Sequence, residues 1–170
     1  IDDTNHAKTA VQCGLDMLKA VEKFNEEVII PDGRPAVGMG AGINTGLGYI
    51  GEMGSTARHS YDVLGDAVST AARIESKCKE YGCLLLVGGA TVEQCNNDFF
   101  FLKVDDLAVK GKTVGISIYT VLDTLYERPA WKSAKKHHDQ MHYLYRQQLF
   151  TEAAAQCKLS RRNFDGRLQG

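Results

Sequence analysis

Residues 38–75, GMGAGINTGLGYIGEMGSTARHSYDVLGDAVSTAARIE, decide the fold of this chain. Seven glycines fall between Gly38 and Gly54, and the residues between them suit a half-buried strand. We predict two short antiparallel strands joined near residues 44–46, where glycine permits a tight turn and the close approach of another backbone or a nucleotide. Taken alone, such a pattern is a weak motif, and a hairpin without a ligand is its simpler interpretation.

A helix is predicted to follow over residues 65–81. Its inward stripe, at steps of three and four residues, consists of Val68, Ala71, Ala72 and Cys78. Asp66, Ser69 and Arg73 share a neighbouring face, because such spacings place side chains one above another. An arginine there can neutralise the charge of a transferring phosphoryl group. On residue type alone, Arg73 is equally consistent with an ordinary solvent-exposed helix charge.

Four blocks of sequence in a fixed order carry a family resemblance. They are Gly42–Gly46, Gly51–Ser55 with Arg58, Tyr61–Asp62 with Gly65–Glu75, and Val109–Lys112. Together they resemble the C-terminal two-thirds of a class III adenylate/guanylate cyclase catalytic domain, over the chain from its start to about Leu122. The expected fold is α+β, a ferredoxin-like sandwich of the class III cyclase type with helices on one face of the sheet.

The resemblance implies an intramolecular phosphoryl transfer. In that family the ribose 3′-hydroxyl of ATP attacks the α-phosphate, pyrophosphate leaves, and cyclic 3′,5′-AMP results. This chemistry needs in-line positioning, metal ions and cationic donors. The resemblance implies that Arg73 stabilises the transition state and that Lys110 contacts the triphosphate, with Lys112 as the alternative if the loop is shifted. Without the other blocks, residues 110–112 would indicate only a solvated hairpin turn.

The resemblance assigns base recognition to Asp62. A carboxylate accepts a hydrogen bond from the exocyclic amine of adenine, whereas guanine presents a carbonyl oxygen there and is repelled. ATP is therefore the predicted substrate. The alternative for Asp62 is a turn or helix-capping aspartate, because it stands just before the predicted helix.

Ser69 departs from the family pattern, which usually has an asparagine four residues before the arginine to orient the ribose. A serine hydroxyl has a shorter reach, so it would act through water or on a closer substrate, and we predict reduced turnover. The same departure supports a second hypothesis, a non-catalytic cyclase-like module that binds nucleotide or a partner and regulates another activity.

The chain begins at what resembles the family's second helix, so the N-terminal metal-binding part is expected to be missing. In relatives that part carries two metal-binding aspartates, and Asp2 and Asp3 are explained instead as acidic residues at a helix start. We therefore assign no metal ligand to this chain and expect Mg²⁺ or Mn²⁺ to bind in the missing part. The 170 residues alone are not expected to cyclise ATP. The resemblance also implies a homodimer with its sites at the interface.

Composition places the chain among globular intracellular proteins. Hydrophobic residues make up 44% and charged residues 24%, and no run of eighteen apolar residues occurs. The five scattered cysteines indicate reduced thiols rather than disulfides or a zinc site. We predict a cytoplasmic location, with an upstream sensor or a membrane anchor in the parent protein left open.

The charge changes sign beyond Pro129, so we divide the chain into a partial cyclase catalytic domain, residues 1–127, and a helical C-terminal extension, residues 128–170. The extension has nine Lys/Arg and three Asp/Glu, which give it a net charge of +6. The remainder of the chain has a net charge of −7. No nucleic-acid-binding motif accompanies this charge, so no nucleic-acid partner is predicted. The pattern indicates one helical hairpin, loosely like a tetratricopeptide unit.

His138 and His142 are spaced to bind a metal, but no third ligand follows, which predicts a surface pair.

Overall fold

The computed structural model describes residues 3–55, 58–108, 115–124 and 129–163. The chain divides into two compact units, Ile1–Val121 and Leu122–Gly170. In chain order the elements are α1 (His6–Phe24), continued by a π-helical turn (Asn25–Ile29), β1 (Ala41–Ile43), β2 (Tyr49–Ser55), β3 (Arg58–Leu64), α2 (Asp66–Ser76), α3 (Cys78–Tyr81), β4 (Leu85–Gly88), α4 (Gly89–Cys95), β5 (Phe99–Leu107), β6 (Ile116–Thr124), α5 (Pro129–Arg146) and α6 (Phe150–Asn163).

The strands form two sheets, and the predicted α+β class is confirmed. The larger sheet has the strand order β1-β4-β6-β5, with β1 parallel and β6 antiparallel to β4. The smaller sheet is the antiparallel pair of β2 and β3, in register from Tyr49 opposite Leu64 to Ser55 opposite Arg58.

The predicted strand pairing across residues 44–46 is wrong. β1 pairs with β4, with Ala41 opposite Leu85 and Ile43 opposite Val87, and the hairpin is made by β2 and β3. Glycine-rich strands carry few side chains that specify a partner or a register, so the pattern revealed strands without revealing their neighbours. The partner of β1 lies some forty residues further along the chain and left no local signal.

The expectation of helices on a single sheet face is also wrong. Strand β4 is buried at all four positions, so neighbouring side chains enter different hydrophobic clusters. Leu85 and Val87 pack with Val11 of α1, whereas Leu86 packs with Ile74 of α2. Helices therefore cover both faces of this strand. A continuous apolar run such as residues 84–87 is typical of a strand buried on two sides.

The inward side of α2 differs from the predicted stripe. The helix ends at Ser76 and α3 begins at Cys78, and the buried positions are Thr70, Ile74 and Cys78. Val68 is 42% exposed, and Ala72 is exposed as well. Small and apolar residues occur all round this helix, so periodicity did not decide which side faces the sheet.

The second unit contains the predicted helical hairpin, α5 and α6. Trp131, Ala134, Ala153 and Ser160 are buried, and the Ser160 hydroxyl donates a hydrogen bond to the Ala134 carbonyl oxygen at 3.0 Å. His137 Nδ1 lies 2.7 Å from Gln156 Oε1. These contacts join the N-terminal half of α5 to the middle and the C-terminal half of α6. Across the described residues, no helix is both long enough and apolar enough to span a bilayer.

Candidate active site

The position of α2 is determined by a glycine in β1. A Cβ atom at Gly42 would lie 2.4 Å from the Ala71 carbonyl oxygen and 2.4 Å from the Glu75 backbone nitrogen. Only glycine therefore allows the helix to rest directly on the strand. At the start of α2, a Cβ at Gly65 would lie 2.7 Å from the Leu47 carbonyl oxygen. Two close backbone approaches thus hold the helix that carries Ser69 and Arg73.

Ser69 and Arg73 lie one turn apart on α2, as the spacing predicted, and both are exposed. The Ser69 hydroxyl is within hydrogen-bonding distance of two carbonyl oxygens of its own helix, Gly65 at 3.4 Å and Asp66 at 3.3 Å. No carboxylate among the described residues forms an ion pair with Arg73. The guanidinium is therefore accessible to an anionic ligand, whereas Ser69 must turn from its own backbone to reach one.

Asp62 lies within β3, opposite Gly51 of β2, and is exposed. Its Oδ1 accepts a hydrogen bond from the backbone N–H of Val63 at 2.7 Å, which orients the carboxylate. The helix-capping alternative is wrong, because the residue that caps α2 is Gly65 and no side chain caps it. The turn alternative fails as well, since β3 continues to Leu64.

Lys110 and Lys112 lie outside the described residues, but the strands on either side of them are described. β5 ends at Leu107 and β6 begins at Ile116. Asp106 ties these strands together, because its Oδ1 accepts a hydrogen bond from the Ser117 hydroxyl and lies 2.8 Å from Lys103 Nζ. The strands on either side of the two lysines are therefore joined by a side-chain hydrogen bond.

A cavity of about 600 Å³ lies beside the N-terminal end of α2. Its polar lining includes Asn44, Thr45, Asp66, Thr70, Glu93 and Tyr119. Thr45 Oγ1 lies 2.9 Å from Thr91 Oγ1, which joins the end of β1 to α4. Sequence reasoning missed this cavity because it interpreted residues 44–46 as a hairpin turn. The signal was present in the polar pair Asn44-Thr45 between two glycines.

Tyr81 and three cysteines have pKa values above their ordinary ones. The hydroxyl of Tyr81 donates a hydrogen bond to Asp105 Oδ2 at 2.5 Å, which raises the pKa of Tyr81 to about 12. Burial raises the pKa of the thiols of Cys78, Cys83 and Cys95. These cysteines therefore remain protonated at neutral pH and are poor nucleophiles.

The predicted site residues are only partly brought together. Ser69 and Arg73 share one helix face, Asp62 lies on the strand that leads into that helix, and the two lysines lie outside the described residues. No group of three or more His, Cys, Asp or Glu side chains is placed to hold a metal ion within the described ranges. The described residues thus do not fit a Mg²⁺ or Mn²⁺ site.

The model of the adenylate and guanylate cyclase catalytic domain family matches residues 2–123. Adenylate cyclase 1 of Rhizobium meliloti (strain 1021) is 34% identical over 122 residues, which cover 72% of this chain and 18% of that protein. The adenylate cyclase of Anabaena cylindrica is 36% identical over 125 residues, which cover 70% of this chain and 25% of that protein. The chain thus spans about a fifth to a quarter of the length of these relatives.

Solved structures show the same arrangement of helices and strands. The adenylyl cyclase CyaB from P. aeruginosa superimposes with a TM-score of 0.64 at 25% identity, covering 74% of this chain and 63% of that one. The guanylyl cyclase Cya2 superimposes with a TM-score of 0.63 at 28% identity, covering 73% of this chain and 61% of that one. The predicted cyclase-type sandwich is therefore confirmed.

Proposed function

This chain belongs to the adenylate and guanylate cyclase catalytic domain family, and we propose that it supplies the substrate-binding half of an adenylate cyclase. The reaction is the conversion of ATP to cyclic 3′,5′-AMP and pyrophosphate. The observation that carries the proposal is the exposed guanidinium of Arg73, one turn from Ser69, on a helix held in place by Gly42. The adenylate cyclases among its relatives support the choice of reaction.

Arg73 is the proposed transition-state residue. During cyclisation, negative charge builds on the oxygens of the α-phosphoryl group and on the leaving pyrophosphate. A guanidinium offers several N–H donors in a planar fork, which suits two phosphoryl oxygens at once. Its accessibility and the close packing of α2 on Gly42 support this role, because the helix that carries the cation need not move as the charge develops.

Ser69 is proposed to orient the ribose less well than a longer amide side chain. Its hydroxyl lies 3.3 Å from the carbonyl oxygen of Asp66, so it must rotate away from its own helix to donate to the sugar. A bridging water can restore the reach at a modest entropic cost. We therefore propose an enzyme with low rather than absent turnover.

Asp62 is proposed to select adenine over guanine. One carboxylate oxygen accepts the N–H of Val63 at 2.7 Å, and this bond orients the group on an exposed strand. The other oxygen can accept a hydrogen bond from the exocyclic amine of adenine. Guanine would place a carbonyl oxygen against that carboxylate, and two acceptors repel each other.

Lys110 is proposed to bind the triphosphate, with Lys112 as the alternative. Both belong to the segment that follows Asp106, whose carboxylate ties β5 to β6 through Ser117. This hydrogen bond supports the proposal, because it joins the two strands that flank the lysines in the sequence. An ammonium acts on phosphate as a compact point charge with three donors.

A homodimer with its sites at the interface is proposed from the ribbon of β2 and β3. Large apolar side chains on and beside this ribbon are exposed, with Leu47 at 95%, Tyr49 at 81% and Tyr61 at 75%. An isolated two-stranded ribbon is only marginally stable in water, and apolar patches of this kind mark contact surfaces. We propose that a second copy of the domain covers it.

Divalent metal ions take part in catalysis by domains of this family. The resemblance in sequence assigns the ligands of Mg²⁺ or Mn²⁺ to a part that precedes this chain, and we retain that assignment as part of the proposal. On the same basis, the 170 residues alone are proposed to be inactive. A cytoplasmic location is proposed because ATP is there and all five cysteines are free thiols.

The test uses the full-length protein that contains this chain, with ATP and Mn²⁺ or Mg²⁺, and measures cyclic AMP. We expect product, and we expect Arg73→Ala to lower kcat by about a hundredfold to a thousandfold with little change in KM. Arg34→Ala is the matched control, since Arg34 is an exposed arginine that pairs with Asp32. A folded dimer that binds ATP without forming cyclic AMP would instead indicate a regulatory nucleotide-binding module.

A further inference from the structure

Two histidines of α5 converge on one point. The Nε2 atoms of His138 and His142 lie 3.1 Å apart, and their ring centroids are 4.7 Å apart with an angle of 70° between the ring planes. Both side chains are half-buried, which restricts their rotamers. The spacing suited a metal, and the lack of a third ligand in the sequence predicted a surface pair. The structure directs one nitrogen of each ring toward the other.

A separation of 3.1 Å means that one Nε2 donates its proton to the lone pair of the other. In this arrangement the two rings are in different tautomers. If both rings place their proton on Nδ1 instead, two lone pairs face the same point in space. A cation bound by both nitrogens would then take the place of the shared proton.

The spacing of the nitrogens matches a two-histidine chelate. A zinc–nitrogen bond is about 2.0–2.1 Å, so two nitrogens 3.1 Å apart subtend an angle of about 100° at the metal. This angle lies between the ligand–metal–ligand angles of octahedral and tetrahedral coordination. Histidines four residues apart on one helix face are a recurrent zinc-binding arrangement. We propose that His138 and His142 form a binding site for a divalent transition metal ion such as Zn²⁺, Ni²⁺ or Cu²⁺.

The neighbouring polar groups engage other partners. His137 Nδ1 lies 2.7 Å from Gln156 Oε1 on α6, and Asp139 Oδ1 lies 3.5 Å from Lys135 Nζ. Within the described ranges no third His, Cys, Asp or Glu completes a cluster with the pair. The proposal therefore names only these two imidazole ligands. With two imidazole ligands we expect a micromolar rather than a nanomolar site.

The proposal is independent of cyclase activity. The pair belongs to the unit Leu122–Gly170, whereas Ser69 and Arg73 belong to Ile1–Val121. Its chemistry also differs, because Mg²⁺ prefers oxygen ligands and keeps its waters, while imidazole suits zinc, nickel and copper. Metal binding by this pair is therefore expected even in a form of the protein that makes no cyclic AMP.

The test is titration calorimetry of the 170-residue chain with ZnCl₂ and with NiCl₂. We expect one ion per chain with a Kd of roughly 1–10 μM. No heat is expected from MgCl₂ at millimolar concentration. Because protons compete for the same imidazole nitrogens, binding should weaken as the solution is acidified.

Single substitutions His138→Ala and His142→Ala should each weaken binding by about tenfold or more, because one ligand cannot chelate. His137→Ala should leave the affinity unchanged. A second control, His142→Ala combined with Asp139→His, keeps the number of histidines but places the second one on another face of α5. Far-ultraviolet circular dichroism establishes that each variant keeps its helices.

The proposal is overturned if the chain lacking both histidines binds Zn²⁺ as tightly as the unaltered chain. One ion per two chains would overturn it as well, because the metal would then bridge copies. Nitrogen-15 spectra of the imidazoles supply a readout that does not depend on heat. A large shift of Nε2 in both rings on adding Zn²⁺ supports the site, and unshifted Nε2 signals contradict it.

Discussion

Gly42 lies so close to α2 that a Cβ atom on it would be 2.4 Å from the carbonyl oxygen of Ala71. The obstructing atoms are backbone, which cannot turn aside as a flexible side chain can. Gly42 therefore serves helix–strand packing, which is the close approach of another backbone that the glycine pattern predicted.

Replacing Gly42 by alanine should destabilise the chain strongly. The added methyl group must push α2 away from β1, and overpacking of this kind costs about 1–3 kcal/mol or more. Urea unfolding followed by circular dichroism measures the change. Gly38→Ala is the control, since nothing lies within 4 Å of a Cβ there, and a similar loss in both variants would contradict the packing argument.

Ser69→Asn should raise turnover in the full-length protein. The longer amide can reach the ribose, whereas the serine hydroxyl must first leave its hydrogen bonds with the carbonyl oxygens of Gly65 and Asp66. An increase in kcat of about threefold to thirtyfold corresponds to one added hydrogen bond of ordinary strength. An unchanged or lower kcat, with α2 intact, would show that Ser69 is not the limiting feature.

Asp62→Cys should weaken the preference for ATP over GTP. The substitution removes the carboxylate that accepts from adenine and repels guanine, so the ratio of kcat/KM values should fall by about tenfold to a hundredfold. Asp32→Cys, at an exposed aspartate outside the strands, serves as the control. If the ratio of kcat/KM for ATP to that for GTP is the same in the Asp62 variant and the unaltered enzyme, Asp62 does not recognise the base.

The phenol of Tyr81 should lose its proton at a higher pH than an ordinary tyrosine. Its hydrogen bond to Asp105 favours the protonated phenol and raises the pKa of Tyr81 from 10.0 to about 12. The folded-state value exceeds the unfolded one, so this contribution to stability is present below pH 10 and is lost as the pH rises toward 12.

Ultraviolet absorbance of tyrosinate measures the titration directly. Tyr81→Phe should remove the late step, whereas Tyr61→Phe should leave it in place. A late step that persists in the Tyr81 variant would assign it to another tyrosine.

Polar substitutions on the β2–β3 ribbon should weaken dimerisation. Tyr49 and Tyr61 are among its most exposed apolar side chains, and Tyr49→Ser with Tyr61→Ser would remove their contact area. We expect the dimer dissociation constant of the full-length protein to rise by about tenfold or more. Sedimentation equilibrium measures it, with Leu84→Ser as an exposed control outside the ribbon. An unaffected dimer would place the interface elsewhere.

Local patterns were sufficient for much of this protein. The order of the blocks from Gly42 to Lys112 identified the family, and steps of four residues placed Ser69 and Arg73 on one face of α2. These features depend on residues that are near one another in sequence. Helical periodicity and motif spacing are therefore enough to predict them. The helical hairpin was predicted for the same reason.

Only the tertiary structure decided which strands and side chains meet across long separations. The pairing of β1 with β4, the packing of α1 and α2 against opposite faces of β4 and the lining of the cavity beside Asp66 all join residues that are distant in sequence. The convergence of His138 and His142 depends on rotamers, which the packing around α5 selects. Such contacts are set by the shapes of both partners together, and neither partner's own sequence contains that information.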